Sequence, residues 1–368
     1  MHHPVRRPRL WAALAAALAL VVVAVPFLPD SAGPEPALTP SGDSTSGPSG
    51  TDPSGTGLTP EVLAEIDRVV AEGRAVGRAQ GRAATARALV RCATFEGQRY
   101  CLGHGWTDAP EAELAGRLTA RPTRAAERTG DLGPGALLAR AIRTSPAARA
   151  RAERAELTMA ARSVDKVIEL RKRPRRTAED YPRKDKILTS RQVKAQNEYY
   201  WCGPATMQAI AWAWKERRHD QAYWARRLRT TTAGTGITDM VRVINNHTGF
   251  DNKKYAGPYV ALDIADYSFD KWFLLMMRHI HDYDAPVVLH PVLEKRFYPY
   301  LDDDASGHFQ VGRGYDKNPR GNPQIGYFEP WDQSRFDPTE PSIPRVQWRS
   351  AYKSYRANQA HFQHNVGV

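Results

Sequence analysis

Aromatic residues are nearly missing from the first half of the chain. Of the 34 present in 368 residues, 28 lie after Ser190. The first half therefore lacks the large rings that fill a substantial core, and the principal core is assigned to the C-terminal half. Long apolar runs are missing too, apart from Leu10–Leu28, so the chain holds no set of transporter segments. Cysteine is down to three, an odd number that leaves one thiol outside any intrachain pair. The net charge of +12 comes with no nucleic-acid recognition motif, its basic residues being scattered along Arg-rich stretches, and no DNA or RNA partner is expected.

What is present divides the chain. Arg6, Arg7 and Arg9 precede the apolar run, the charge order of an export signal or of a membrane anchor whose N-terminus stays in the cytoplasm. Residues 1–28 are read as one or the other, and the remainder then acts outside the cell, secreted or held at its surface. An anionic cell envelope is the simplest partner for its positive charge. Residues 29–58, rich in Pro, Gly and Ser, cannot bury enough apolar surface to fold by themselves. Residues 59–170 read as a mostly helical module, 171–186 as a solvated basic connector opening with Arg171-Lys-Arg-Pro-Arg-Arg176, and 187–368 as a domain of mixed helix and strand.

Within the module, Thr59-Pro60-Glu61 starts a helix that runs to the high seventies, with further helices at about 110–120, 135–143 and 146–171. Gly73, Gly77 and Gly81, each followed by arginine, would form a small-residue face on the first of these. Cys92 and Cys101 flank a turn at Gly97 and suit a hairpin disulfide in an oxidising compartment, a metal site with His104 being the weaker alternative. Cys202 is then left over. An unpaired cysteine in an exported chain is a candidate reactive thiol.

Its surroundings sharpen that reading. In Gln196-Asn-Glu-Tyr-Tyr-Trp-Cys202-Gly-Pro-Ala205, Pro204 suits the first turn of a helix whose buried face carries Met207, Ile210, Ala211 and Trp214. The sulfur sits at the N-terminus of that helix, where the dipole favours a thiolate. About a hundred residues on, Gly307-His308-Phe309 opens a strand, 308–315, that pairs with 324–328 across a turn-rich connection. Antiparallel pairing about a centre near residue 320 sets His308 opposite Glu329 to Asp332. Cys202 is thus the expected nucleophile and His308 its base, with Gln196 and the Cys202 backbone N–H as donors to an oxyanion.

Those residues, with Gly314-Tyr-Asp316 and Glu329-Pro-Trp331, resemble the papain-like bacteriocin-processing cysteine peptidases, most of all the stand-alone peptidase-like domains of exported bacterial proteins. The resemblance runs from about Lys186 to the C-terminus. It implies an α+β fold, a papain-like cysteine peptidase domain of a helical part and an antiparallel sheet, here behind the helical N-terminal module. It also implies Gln196 at the oxyanion, Cys202 as nucleophile and His308 as base, acting on a peptide or protein substrate without cofactor or metal. The family's third residue is usually an aspartate in an Asp-Pro pair. Here Glu329-Pro330 stands in that place, with Asp332 in reserve.

Two other functions suit the same residues: acyl transfer to an amine in the manner of a transglutaminase, and binding of peptides or envelope polymers without catalysis. His279, His281, His290, His361 and His364 read as packing or surface residues. Asp302-Asp-Asp304 lacks the glycine-punctuated spacing of a calcium loop, and the sequon at Asn246 falls in a helix.

Overall fold

In the computed structural model, which describes residues 57–73, 81–120, 130–172, 176–214, 216, 219–339 and 341–368, helices flank a single ten-stranded sheet. Residues 1–28 and nearly all of 29–58 lie outside the described residues, and with them the export-signal reading. Among the described residues no helix is long and apolar enough to cross a membrane.

The chain first forms α1 (Pro60–Glu72), α2 (Arg82–Leu89), β1 (Cys92–Phe95), β2 (Gln98–Cys101), β3 (Gly105–Trp106), α3 (Glu111–Thr119), α4 (Pro134–Arg143), α5 (Pro146–Arg162), α6 (Val164–Lys172) and β4 (Lys184–Lys186). It continues with α7 (Cys202–Ala213), α8 (Gln221–Arg227), α9 (Ile237–His247), β5 (Ala261–Asp263), α10 (Phe269–His281) and β6 (Val287–Leu289). The last elements are β7 (Gln310–Asp316), β8 (Gln324–Phe328), α11 (Gln333–Phe336), β9 (Val346–Ser350), α12 (Ala351–Ala360) and β10 (Asn365–Gly367).

Three local departures from the sequence pattern have physical causes. Helix α1 stops at Glu72 with Gly73 as its C-cap, and a β-carbon on Gly73 would overlap the Arg91 guanidinium. Gly73 and Gly81, the latter capping α2, therefore belong to different helices and share no face; Gly77 lies outside the described residues. The single helix expected over 146–171 is broken at Ser163, whose hydroxyl donates to Ala160 O and accepts from the Trp106 indole, turning the chain into α6. The basic connector is anchored at one end: Arg171 is largely buried and paired with Asp108, whereas Arg176, paired with Asp282 at 2.5 Å, and most of the described residues up to 186 are exposed.

The sheet runs β1-β2-β3-β5-β10-β6-β7-β8-β9, with β4 paired to the far half of β7. Only the β3–β5 contact is parallel, Trp106 opposite Leu262, and it carries the sheet across from the N-terminal hairpin to the C-terminal strands. One apolar core spans both, taking Ile66, Phe95, Trp106 and Leu157 together with Leu262, Trp272, Tyr315 and Val366. Buried ion pairs add further ties, Arg117 to Asp263 at 2.7 Å and Arg140 to Asp239 at 2.5 Å. The sequence division at 171–186 is thus not a division of the sheet: residues Gly50–Val368 form one unit.

The hairpin disulfide Cys92–Cys101 is present, across the paired ends of β1 and β2. Closing a loop of this length removes unfolded-state entropy. Replacing both cysteines by serine should lower stability by about 2–3 kcal/mol, read as a shift of the urea midpoint against the unreduced wild type.

Candidate active site

Helix α7 begins at Cys202, with Trp201 as N-cap in a non-helical conformation and Pro204 in the first turn. A helix start leaves its first N–H groups without intrahelical acceptors, and here they surround the cysteine. Almost every side chain from Cys202 to Ala211 is buried, so the helix is held on all sides and cannot roll the sulfur away. One turn further on, Thr206 Oγ1 donates to Phe309 O at 3.1 Å. That bond ties the cysteine-bearing helix to the strand entry that carries His308.

The hairpin register follows the expected centre. Val311 faces Phe328 and Asp316 faces Gln324, with one bulge between Gly312 and Gly314. His308 lies just before β7, its N–H bonded to Pro291 O at 2.9 Å, and Glu329 just after β8, its N–H bonded to Arg345 O at 2.8 Å. His308 Nε2 and Glu329 Oε1 are 2.7 Å apart. This leaves Nδ1 free of Glu329, and the Cys202 sulfur is near enough to favour the protonated ring. Cys202, the imidazole and the carboxylate are thus gathered at one place, and the extra methylene of glutamate is accommodated.

Glu329 is wholly buried, and an ionised carboxylate there requires several donors. It has them. Besides His308, Oε1 accepts from Trp331 N at 2.9 Å, and Oε2 accepts from Gln310 Nε2 at 2.7 Å and Tyr300 OH at 3.3 Å. Burial pushes this carboxyl up, but His308 and the other donors outweigh it and hold the group below its ordinary value. Burial likewise pulls the His308 ring down, yet the Glu329 carboxylate and the Cys202 sulfur overcome it and raise His308 to about 10. Gln310 and Tyr300 were missed in the sequence. Gln310, two residues beyond His308, carried the signal.

The other expected residues fare differently. Gln196 is buried, and its backbone N–H donates to Pro330 O at 2.8 Å, so it lies beside the carboxylate segment. Its side-chain nitrogen, however, donates to Glu198 O at 3.0 Å and Tyr199 O at 2.8 Å, while Oε1 is buried without a hydrogen-bond partner. As placed, the amide shapes the turn into Cys202. Asp332 is not at the imidazole: it pairs with Arg345 at 3.3 Å, accepts from Ser334 at 2.7 Å and caps α11.

Residues 189–359 match the Peptidase_C39 like family. No curated protein and no solved structure gives a match. The matched stretch holds Gln196, Cys202, His308 and Glu329, and it supports a cysteine-peptidase-type domain. The cleft of this peptidase-like domain is closed. Cys202 is 0% and His308 3% exposed. Tyr199, Leu293, Leu301, His308, Trp331 and Gly130 line a hollow of only about 10 Å³, room for about one water and not for a peptide.

A folded-state imidazole raised above its ordinary 6.5 contributes stability that is complete below that pH and is lost as pH rises through about 10. Glu329→Gln should remove this contribution. The stability gap between wild type and variant, measured by urea denaturation, should therefore narrow between about pH 7 and about pH 10.5. A constant gap would mean that the pair is not charged.

Proposed function

We propose that this protein is a thiol hydrolase that cleaves peptide or isopeptide bonds through an S-acyl intermediate, with Cys202 as nucleophile, His308 as acid and base, and Glu329 as the group that orients His308. The observation that carries the reading is the buried imidazole–carboxylate pair, His308 bonded to Glu329 at 2.7 Å, with the free Cys202 at the helix start near it. The thiolate adds to the carbonyl carbon, the tetrahedral oxyanion collapses, and the proton on His308 passes to the departing amine. Water, deprotonated by the same imidazole, then cleaves the thioester and regenerates the thiol. Glu329 keeps its charge throughout, so that His308 can carry a proton in a buried site. For Gln196 to serve the oxyanion, its amide must leave the Glu198 and Tyr199 carbonyls as substrate enters.

The thiol chemistry is of the bacteriocin-processing type. The disulfide between Cys92 and Cys101 supports action in an oxidising compartment, as a secreted or surface-held protein. A charge of +12 suits an anionic envelope as its surroundings.

Burial of the sulfur favours a second reading, a non-catalytic binder that has kept the fold. Iodoacetamide separates the two. At about pH 6 an ordinary thiol is almost wholly protonated, so His308→Ala should slow alkylation of Cys202 by at least about tenfold. The site of modification is read by mass spectrometry, and equal rates in wild type and variant would favour the binder. In a peptide-library digest, Cys202→Ser should lower hydrolysis by more than about a thousandfold. Gln196→Ala should lower kcat by about a hundredfold or more if its amide reaches the oxyanion.

A further inference from the structure

The residue that closes the cleft comes from outside the matched stretch. A β-carbon on Gly130 would overlap the Cys202 sulfur, so the main chain at Gly130 lies directly on the nucleophile. The next residues run beside the site and are held there by main-chain bonds. Thr235 N donates to Gly130 O at 3.1 Å, Leu132 N donates to Thr235 O at 2.8 Å, and Asp131 and Thr235 form a parallel bridge. Thr235 in turn packs on Gly203, the residue after the cysteine. This is the pair of main-chain bonds by which an extended peptide segment is held alongside another, made here at a single isolated bridge.

Asp131 anchors the strand. Its carboxylate is buried against the backbone of Gly307, where a β-carbon would collide with it, and Gly234, at φ +105°, leaves room for its main chain. His361 Nε2 meets Asp131 Oδ2 at 2.7 Å and His290 Nε2 meets it at 3.3 Å. His290 stacks on Phe309, the neighbour of His308. Both imidazoles, expected as packing or surface residues, thus hold the segment that covers the sulfur.

These three side chains are close enough to hold a metal ion, but the outer hydrogen bond of His361 argues otherwise. His361 Nδ1 accepts from Gln363 N at 3.1 Å, so Nε2 carries the hydrogen that it gives to Asp131. Burial and His290 pull His361 down to about 4, in keeping with a neutral donor. A metal at Nε2 would need that hydrogen moved to Nδ1, against the Gln363 N–H. The cluster is built as a hydrogen-bonded anchor.

We infer that Gly130, Asp131 and Leu132 occupy the peptide cleft of this same site as an intramolecular strand and keep Cys202 covered until they are displaced. The inference rests on the reading of Cys202 as the reactive thiol and names its control: the folded chain is latent, and the cleft accepts substrate where these residues now lie.

Gly130→Ala tests it, because the added methyl cannot share space with the sulfur and must lift the strand. Cys202 in the full chain should then be alkylated by iodoacetamide at least about tenfold faster than in wild type. Hydrolysis in the peptide-library digest should rise with it. Asp131→Ala, which removes the anchor and leaves Gly130 in place, should also accelerate alkylation. It decides the matter if thermal unfolding shows that Gly130→Ala does not fold. Rates unchanged from wild type in the folded variants would overturn the inference. Adding His308→Ala to Gly130→Ala separates this from the chemistry: if the double variant still reacts faster than His308→Ala alone, the cover stands whether or not His308 activates the sulfur.

Discussion

A carboxylate sealed from water beside an imidazole sets the terms for everything around it. Glu329 is 0% exposed, and an ion there survives only because every lone-pair direction in use meets a donor. His308, Gln310, Tyr300 and the Trp331 N–H come from the strand entry, β7, the loop before it and the chain after β8. The register of the hairpin, the bulge after Gly312 and the bond from Thr206 to Phe309 are the means by which those donors and the cysteine reach one point. A shift of one residue in that register would turn His308 away from Glu329 and leave two buried polar groups without partners.

Much of this was legible in the sequence because it is local. Pro204 behind Cys202 marks a helix start, and turn residues between two short strand patterns set a centre near 320, so the meeting of His308 and a carboxylate follows from spacing, while Cys202 was joined to them by the motif and the family resemblance. The choice between Glu329 and Asp332 was not fixed by spacing, since both lie opposite His308. It is fixed by donors: Glu329 has four, whereas Asp332 has Arg345 and Ser334 nearby and becomes a helix cap. Gln196 fell beside the site as expected. Its amide went to the nearest turn carbonyls, a competition between local and distant partners that a motif does not display.

The cover over the sulfur was not legible, for the opposite reason. Gly130 and Asp131 sit in Thr129-Gly-Asp-Leu-Gly-Pro134, which reads as an ordinary loop before a helix, and each of their partners lies far along the chain. His290 and His361 carried no signal either, because burial of a histidine depends on who brings the carboxylate. The sheet posed the same difficulty: nothing in a two-residue strand at Trp106 announces that it will pair with Leu262 and join the hairpin to the rest. Contacts of this kind are made by tertiary packing, after local pattern has done its part.

That continuity also decides how the cleft can open. The N-terminal hairpin belongs to the sheet, its apolar residues share one core with Trp272 and Val366, and Arg117 and Arg140 place charges on Asp263 and Asp239. Pulling away the whole N-terminal part would unmake the fold, so opening must be confined to the few residues on the sulfur. The hydrogen bond from His361 to the Asp131 carboxylate and the two main-chain bonds at Thr235 resist it, the first worth about 1.5–3 kcal/mol and the others about 0.5–1.5 kcal/mol each. If they dominate, the open form makes up roughly one molecule in a hundred to one in ten thousand. At that population a small thiol reagent still reaches Cys202 by waiting for the opening, while a peptide must bind tightly enough to compete with a strand that is already in place. On the proposed function, the same geometry that shields the sulfur sets a threshold on substrates, which would have to replace the two main-chain bonds at Thr235.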